Sequence, residues 1–395
     1  MKKRRKRKTG LVMAAVAVWT AGAAVGWQTP MEAYGASPEF AYSEEKWASL
    51  RDDKLEYEEI ADLIHEYNNT VVQNQIAYQD ERDQNRDDVA QEYYDAAEQL
   101  YSNIEYPDSD DSSYGSKMVS ALNSELQAEQ LMENGDESVD DSETVRLGYE
   151  QTEYSLVKEA QTQMISYWSQ YEQLDNLKEQ ILLAEAAYEQ QELKVAAGVS
   201  TQTELLAAKE TVQTAKASLQ STQSSLEKTK ETLCLMLGWS YGAEVEIGAL
   251  PETDLEAVSA IDLEQDIQKA QENNYSIRQT QKQVTNARTT KVKETKEQTL
   301  KSQKEAVASD VKDSYSSLLL AKSSYEQASQ ALELEQASLE TANYKRQAGM
   351  LTDLELLQQE SACRQAETTV ILRRQSLLQA MTDYEWAVQG LASAS

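Results

Sequence analysis

The chain has 395 residues, and 68 acidic side chains against 37 Lys and Arg give a formal net charge of −31 at pH 7. A surface this acidic repels polyanions, which excludes ordinary nucleic-acid binding. With one histidine and two cysteines, the chain cannot build a His/Cys zinc cage, and it offers no Ser-His-Asp or Cys-His pair. We therefore expect no enzymatic activity, no metal and no cofactor.

The first 36 residues have the pattern of a secretory signal. Seven basic residues open the chain, an apolar run from Gly10 to Trp27 follows, and small residues surround Gly35. The pattern predicts export, with cleavage after about residue 36 or retention of the long apolar run as a membrane anchor. The rest of the chain is thus expected outside the cytoplasm, and no second run of about 20 apolar residues occurs in it.

Downstream of this segment, the scarcity of glycine and proline predicts long helices. Neither residue occurs within 39–106, 149–197, 199–237 or 252–348, where Ala, Gln, Glu, Leu and Lys dominate. If residues 275–348 form one unbroken helix, it is about 111 Å long. Breaks are expected at Tyr106–Gly115, Asn134–Glu143, Gly198, Gly238–Pro251 and Gly349.

Apolar residues repeat with heptad spacing in four segments, within 174–195, 205–233, 318–342 and 356–384. Each stripe alternates large and small residues, which allows antiparallel helices to approach closely. The predicted fold class is all-α, built from long antiparallel coiled-coil helical hairpins. Stripe residues are expected to be core.

An internal duplication divides the chain into two halves. Residues 196–210 (AAGVSTQTELLAAKE) align with residues 347–361 (QAGMLTDLELLQQES) at a shift of 151 positions. In each copy a glycine suits the left-handed position that ends a helix, and a Thr-x-x-Glu capping box starts the next helix. Each copy is therefore predicted to be a tight turn at the tip of a hairpin. The residues concerned are Gly198, Thr201 and Glu204, and Gly349, Thr352 and Glu355.

A weaker repeat relates residues 61–72 to residues 267–278 at a shift of 206, with Asn68 matching Asn274. The two shifts differ by 55 positions, so the first half carries a segment that the second half lacks. We place the first repeat at 37–250, with an acidic insertion at about 106–145, and the second at 251–395.

The two cysteines are expected to be free. Cys234 lies 36 residues beyond the first tip glycine, whereas Cys363 lies 14 residues beyond the second. If the tips are level, the thiols differ in height by about 33 Å, far more than a disulfide spans.

These features resemble the TolC family of outer-membrane efflux proteins. The resemblance rests on the duplicated long-helix halves, the paired asparagine openings and the two Ala-Gly tips, and it covers about residues 50–392. It implies a homotrimer in which the hairpins form a helical tube, with tips that dock a membrane-fusion adaptor linked to a pump. By resemblance, the adaptor-docking turns are Ala197, Gly198 and Val199 in the first half and Ala348, Gly349 and Met350 in the second.

The acidic residues of the capping boxes have two possible roles. By resemblance, Glu204 and Glu355 belong to the network that closes the aperture of the duct. By local chemistry, they serve only to cap the helices, together with Thr201 and Thr352. Both interpretations stay open at this stage.

The sequence departs from the family at two points. Leu351 stands where the family has an arginine after the second tip, and Gln358 stands where it has an acid. No segment shows the 9–11-residue alternation of a membrane β-strand. We therefore expect a relative that lacks clear membrane β-strands and lies in the cell envelope without forming an ordinary outer-membrane pore.

A structural role is the main alternative to a duct. An exported coiled-coil scaffold of the envelope, with no transport role, would show the same heptads. The acidic runs near Asp108 and Asp136 do not match a calcium loop and are interpreted as solvated loops. His65 has no second histidine or cysteine near it in sequence, so a surface or interface position is expected.

Overall fold

A computed structural model describes residues 42–83 and 85–395, and the predicted signal segment lies outside them. The described residues form twelve α-helices. In chain order these are α1 (Glu44–Leu50), α2 (Ile60–Tyr67), α3 (Asn69–Glu81), α4 (Arg86–Ser102), α5 (Tyr114–Glu137), α6 (Ser142–Ala196), α7 (Gln202–Met236), α8 (Leu255–Ser259), α9 (Leu263–Asn273), α10 (Tyr275–Asn286), α11 (Thr290–Gln347) and α12 (Asp353–Trp386).

Both halves follow one plan, a short helix pair followed by a long hairpin. In the first half α2 and α3 lead to the hairpin of α6 and α7, and in the second α9 and α10 lead to the hairpin of α11 and α12. The all-α prediction is confirmed. Two-residue strands, β1 (Lys54–Leu55) and β2 (Glu246–Ile247), pair in parallel and are the β-structure of the described residues.

The heptad stripes form the contact surfaces of the long hairpins. Along α7, Leu205, Val212, Leu219 and Leu226 are each partly buried, whereas the residues flanking each of them are exposed. Each half has its own buried core where the short helices meet the hairpin. Burial along such a stripe, rather than helix propensity, is what stabilises helices of this length.

The expectation of long helices throughout residues 39–106 is wrong. In the described part of this segment the chain forms four separate helices, α1 to α4, although the segment contains neither glycine nor proline. Asparagine starts two of them: the Asn68 side chain accepts from the backbone N–H of Thr70, and the Asn85 side chain from that of Asp87. A side-chain acceptor that satisfies the first backbone donors lets a new helix begin without any breaker residue.

The expectation of one unbroken helix over 275–348 is also wrong. Non-helical residues separate α10 from α11, and the Thr289 side chain caps the new helix by accepting from the Val292 N–H over 3.3 Å. The predicted break at 134–143 is shorter than expected, because α5 continues through Gly135 to Glu137. Most of the acidic insertion predicted at about 106–145 is therefore the helix α5, which forms a helical hairpin with the preceding α4 across the predicted loop around Asp108.

Arg288 joins the base of the α4–α5 hairpin to the break between α10 and α11. Its guanidinium donates to the carbonyl oxygens of Ser138 and Arg86, the latter over 3.1 Å, and pairs with Asp87 at 2.7 Å. Arg86 in turn donates to the carbonyl of Asn286. The planar guanidinium of an arginine can donate to several acceptors at once, which a lysine ammonium does less well.

In each half, an equivalent asparagine joins the short helix pair to the end of the long hairpin. The Asn68 carboxamide donates to the Met236 carbonyl over 2.8 Å. The Asn274 carboxamide donates to the carbonyls of Gly390 and Ala392 over 3.1 and 2.8 Å. Both asparagines also cap the helix that follows them, so each one ties the short pair of its half to the end of the long hairpin.

His65 lies on α2 and its side chain contacts α6. Its Nδ1 is 2.8 Å from Glu153 Oε1. The hydrogen bond to Glu153, followed by the negative charges of Glu153, Glu66 and Asp62, raises the pKa of His65, while partial burial acts in the opposite direction. The predicted interface position is therefore the one observed, and the contact favours the imidazolium form.

This contact predicts a pH-dependent effect of His65→Gln, which installs the residue type that Gln271 provides at the equivalent place of the second half. A folded-state pKa above the unfolded value of about 6.5 means that the charged form stabilises the fold fully below about pH 6.5. The contribution is lost as the pH rises through the folded pKa. Urea unfolding should therefore show a larger deficit of the variant at about pH 5.5 than at about pH 8.5. A deficit that is the same at both pH values would contradict this.

Both cysteines are buried and free, as predicted. Burial raises the pKa of each thiol, which keeps it in the unreactive protonated form. Among residues 42–83 and 85–395, no helix is long and apolar enough to cross a membrane.

Candidate docking tips

The turn at each hairpin tip is a Schellman motif, and the two turns are the same bond for bond. In the first, the N–H groups of Gly198 and Val199 donate to the carbonyls of Val195 and Lys194 over 3.0 and 2.9 Å. In the second, Gly349 and Met350 donate to Arg346 and Lys345 over 3.0 and 2.8 Å. The glycines have φ values of +72° and +69°, a conformation that L side chains rarely adopt.

Each turn is followed at once by a complete capping box. The Thr201 hydroxyl accepts from the Glu204 N–H, and the Glu204 carboxylate accepts from the Thr201 N–H over 2.8 Å. Thr352 and Glu355 form the same pair of bonds, also with 2.8 Å from N–H to carboxylate. The two orphan donors at each helix start are therefore satisfied locally, which makes both tips rigid.

These bonds hold both glutamates in the ionised form. A hydrogen bond from the Ser200 hydroxyl, then one from the Thr201 N–H, lowers the pKa of Glu204. The Thr352 N–H lowers the pKa of Glu355. Each tip therefore carries a fixed carboxylate next to its turn. The capping role is visible in the geometry, and the aperture role stays a prediction.

The tips present apolar side chains to solvent. Val199 is 75 % exposed and Met350 is 78 % exposed, and each side chain follows the tip glycine directly. Large exposed apolar residues flank them on the adjoining helices; these are Leu193, Leu206 and Tyr344. We call these five side chains the apolar tip patch. Because single exposed apolar residues are ordinary but clusters mark interaction sites, the tips are the candidate docking surface.

Both tips lie at the same end of the molecule. Trp386 Nε1 donates to Gln161 Oε1 over 2.7 Å, and each of the two residues is 37 positions from the glycine of its own tip. Closer to the tips, Asn176 donates to Gln365 over 2.7 Å, at 22 and 16 positions from those glycines. A difference of 6 helical residues corresponds to about 9 Å, so the two turns are nearly level.

The structure brings together all six predicted turn residues and the four capping residues, in two equivalent groups. Sequence reasoning missed the flanking members of the apolar tip patch. A signal was present, because Leu193, Leu206 and Tyr344 are apolar residues that lie off the heptad stripes. A residue off the stripe cannot face the partner helix of its own hairpin, so it is left for solvent or for another molecule.

The two tips differ in how they are fastened. In the second tip the Arg346 guanidinium pairs with Asp353, which links the end of α11 to the start of α12. In the first tip Gln191 donates to the Ser200 hydroxyl, which donates in turn to Glu204. The exposed ion pair gives the second tip both signs of charge, whereas the first tip is fastened by neutral groups and one carboxylate. The tips are therefore similar in backbone and different in polar surface.

Comparison with known proteins identifies the class of fold. The sequence matches no family model and no curated protein. The structure is similar to that of a membrane protein from Pseudomonas aeruginosa, with a TM-score of 0.56 and 12 % identity over 85 % of this chain and 90 % of that chain. It is also similar to CusC, with a TM-score of 0.52 and 11 % identity over 92 % and 99 % of the two chains.

A third solved structure agrees with these two. The CmeC outer membrane channel of Campylobacter jejuni gives a TM-score of 0.50 and 11 % identity over 88 % of each chain. The fold is thus the duplicated helical fold of the TolC-type channels, and the resemblance noted from the sequence is confirmed for the fold. At such identities the likeness extends to the fold and to nearly its full length.

Proposed function

We propose that this chain is the duct component of an efflux or secretion system of the cell envelope. In this proposal three copies assemble into a helical tube, and the tips dock the hairpins of a membrane-fusion adaptor that connects the tube to a pump. The observation that carries the proposal is the pair of rigid, level tips that expose an apolar patch at one end of the fold. The similarity in fold to a solved outer membrane channel supports it.

The tip turns suit contact with a helical hairpin. Their backbone is already fixed by the Schellman bonds and the capping boxes, so binding would lose little conformational entropy there. Val199 and Met350 provide the apolar anchors, and Met adapts to irregular surfaces. Glu204 and Glu355 flank these anchors with charge that favours a basic or amide-rich partner hairpin.

The proposal predicts that Val199→Asp combined with Met350→Asp weakens adaptor binding. The test is co-purification of the full chain with the membrane-fusion adaptor that is encoded beside a transporter in the same genome. We expect the affinity for the adaptor to fall at least about tenfold, because each change places a charge on a side chain that the bound adaptor would bury. Val119→Asp on α5, at a valine that is 58 % exposed and lies away from the tips, should leave binding unchanged.

Two outcomes would decide against the duct. Unchanged adaptor binding by the double tip variant would show that the tips are not the docking surface. A chain that stays monomeric at all concentrations would favour the alternative of a coiled-coil scaffold of the envelope with no transport role. Far-ultraviolet circular dichroism of the tip variants checks that the helices are intact.

A further inference from the structure

The hairpin of α4 and α5 has no counterpart in the second half of the chain. There α11 follows α10 after residues 287–289, whereas in the first half the hairpin separates α3 from α6. Both halves nevertheless close in the same way, through Asn68 and Asn274. The hairpin is therefore not required by the duplicated fold, and its surface is available for another role.

Small residues form the inside of this hairpin. They are buried and are spaced by seven positions along each helix. The set is Ala90 and Ala97 on α4, and Ala121, Ala128 and Gly135 on α5. A Cβ added to Gly135 would overlap the ring of Tyr94. The two helices therefore lie too close together for large side chains to pack between them.

The large apolar residues of α5 lie on the outside instead. Val119, Leu122 and Leu126 are 58 %, 53 % and 65 % exposed. Their spacing of three and four positions places them on one face of α5, away from the alanines that contact α4. Among the described helices, α4 is the one that packs along α5. We call these three side chains the α5 stripe, and a cluster of this kind marks an interaction surface.

Glutamates spaced by four positions run beside the α5 stripe. They are Glu125, Glu129, Glu133 and Glu137, which we call the glutamate row. Glu133 pairs with Lys291 at 2.7 Å, whereas Glu129 and Glu137 make no ion pair within residues 42–83 and 85–395. Like charges four residues apart destabilise a helix. The glutamate row therefore lowers the stability of α5, and cations supplied by a partner would reverse that effect.

The charge of the whole hairpin decides which partner suits the α5 stripe. Residues 86–137 contain 14 Asp and Glu against 2 Lys and Arg, a net charge of −12. Both cations are already engaged, since Arg86 donates to the Asn286 carbonyl and Lys117 pairs with Asp111. A second copy of the hairpin or an anionic lipid surface would bring more negative charge against it. The hairpin therefore favours a cationic partner.

The base of the hairpin lies at the end of the long helices away from the tips. Arg288 joins this base to the start of α11, and Thr290 precedes Gly349 by 59 positions. That separation is about 90 Å along the helix. A partner bound to the hairpin base therefore does not compete with an adaptor at the tips, and the following inference does not depend on the proposed duct.

We propose that an amphipathic helix of another protein docks on the α5 stripe, with its apolar side chains against Val119, Leu122 and Leu126. Lysine or arginine residues that flank its apolar side face the glutamate row, where Glu129 and Glu137 supply the unpaired carboxylates. Burial of the stripe provides affinity, as in other contacts made by the apolar face of a helix. The glutamate row selects a basic partner over an acidic one.

Three synthetic helical peptides of the same length test this chemistry. The first has leucine at heptad positions a and d and lysine at e and g; the second has glutamate in place of lysine; the third has serine in place of leucine. Fluorescence anisotropy with the purified chain should show that the first peptide binds and that the other two bind at least about tenfold more weakly. If the first peptide does not bind, or if the glutamate peptide binds equally well, the proposal is wrong.

Two double variants locate the binding site of the first peptide. Leu122→Ser with Leu126→Ser should raise its Kd at least about tenfold, because the buried apolar contact is lost. Glu129→Gln with Glu137→Gln should raise it at least about fivefold and weaken its dependence on salt. Both pairs of side chains lie on the surface, and circular dichroism checks that the helices are intact.

The chain offers a matched control for each double variant. Leu182→Ser with Leu319→Ser changes leucines that are 55 % and 43 % exposed on α6 and α11. Glu297→Gln with Glu305→Gln removes two exposed glutamates of α11 that are eight positions apart, as Glu129 and Glu137 are. Both controls should bind the first peptide as the wild type does. If the glutamate control loses as much affinity as the α5 variant, the peptide responds to net charge alone and the assigned site is wrong.

Other occupants of the α5 stripe give different results. If the leucine variant binds the first peptide normally but has a lower mass than wild type in sedimentation velocity, a second copy covers the stripe and the proposal is wrong. If wild type binds phosphatidylglycerol vesicles through the same two leucines and does not bind the peptide, the surface is a lipid surface and the proposal is also wrong. Every α5 variant should retain adaptor binding at the tips, so this inference and the proposed duct fail separately.

Discussion

Replacing Gly238 by alanine is expected to lower the free energy of unfolding by about 3–4 kcal/mol. Gly238 follows α7 with a φ of +92°, which costs an L side chain about 1–2 kcal/mol. The added Cβ would lie 2.3 Å from Tyr67 Cβ and 3.2 Å from the Tyr67 carbonyl oxygen. Because Cβ is fixed by the backbone, this clash cannot be relieved by a rotamer change, and α2 must move away from the end of α7.

Gly242→Ala is the matched control for this prediction. Gly242 lies four residues further on, has a φ of +79°, and has no atom within 4 Å of the added Cβ. Its substitution should cost only the backbone strain, about 1–2 kcal/mol. Urea unfolding of both variants, followed by circular dichroism, separates the close approach from the strain. Equal losses for the two variants would show that the close approach to Tyr67 contributes nothing.

The long hairpins and their tips were predictable because their signals are local. A heptad stripe in one helix shows which of its residues face a partner helix. A glycine followed by Thr-x-x-Glu specifies a helix end and a helix start within seven residues. The duplication supports both tips together, because Gly198 and Gly349 occupy the same place in each half. For these elements local preference and the global fold agree.

The short helices of the first half were not predictable from the same signals. Asn68 and Asn85 start helices only because their side chains accept backbone N–H groups, and asparagine also occurs inside helices and loops. The absence of glycine and proline therefore excludes helix breaks caused by those residues, but it does not detect a break at which an asparagine caps a new helix. The break before Thr289 has the same cause, since a threonine cap looks like any other threonine in an unbroken polar run.

Contacts between distant segments lay outside sequence reasoning altogether. Arg288 fastens the α4–α5 hairpin across about 150 to 200 positions of chain, and no periodicity reports such a contact. The same is true of the contacts that distinguish α6 from its repeat α11. The sequence shows that Ser169 and Leu320 are counterparts, but only the packing shows that one is covered by α12 while the other is exposed.

Replacing Asn274 by alanine is expected to lower the free energy of unfolding by about 2–4 kcal/mol. The side chain is 2 % exposed, and its carboxamide donates to the carbonyls of Gly390 and Ala392 and accepts from the Ile277 N–H over 3.1 Å. Alanine leaves two buried carbonyl oxygens and one buried N–H without this partner. Urea unfolding measures the loss against wild type.

Two further variants divide this loss into its parts. Asn85→Ala removes a cap that is exposed and that donates to no distant carbonyl within residues 42–83 and 85–395, so it should cost about 1 kcal/mol. Asn274→Asp keeps the acceptor for Ile277 but cannot donate and places a carboxylate beside two carbonyls, so we expect it to be at least as destabilising as the alanine variant. If the aspartate variant were as stable as wild type, donation to the chain end would contribute nothing, and packing alone would close the second half. If the aspartate variant is as unstable as expected, the asparagine is required because its carboxamide both caps a helix and donates to a second segment.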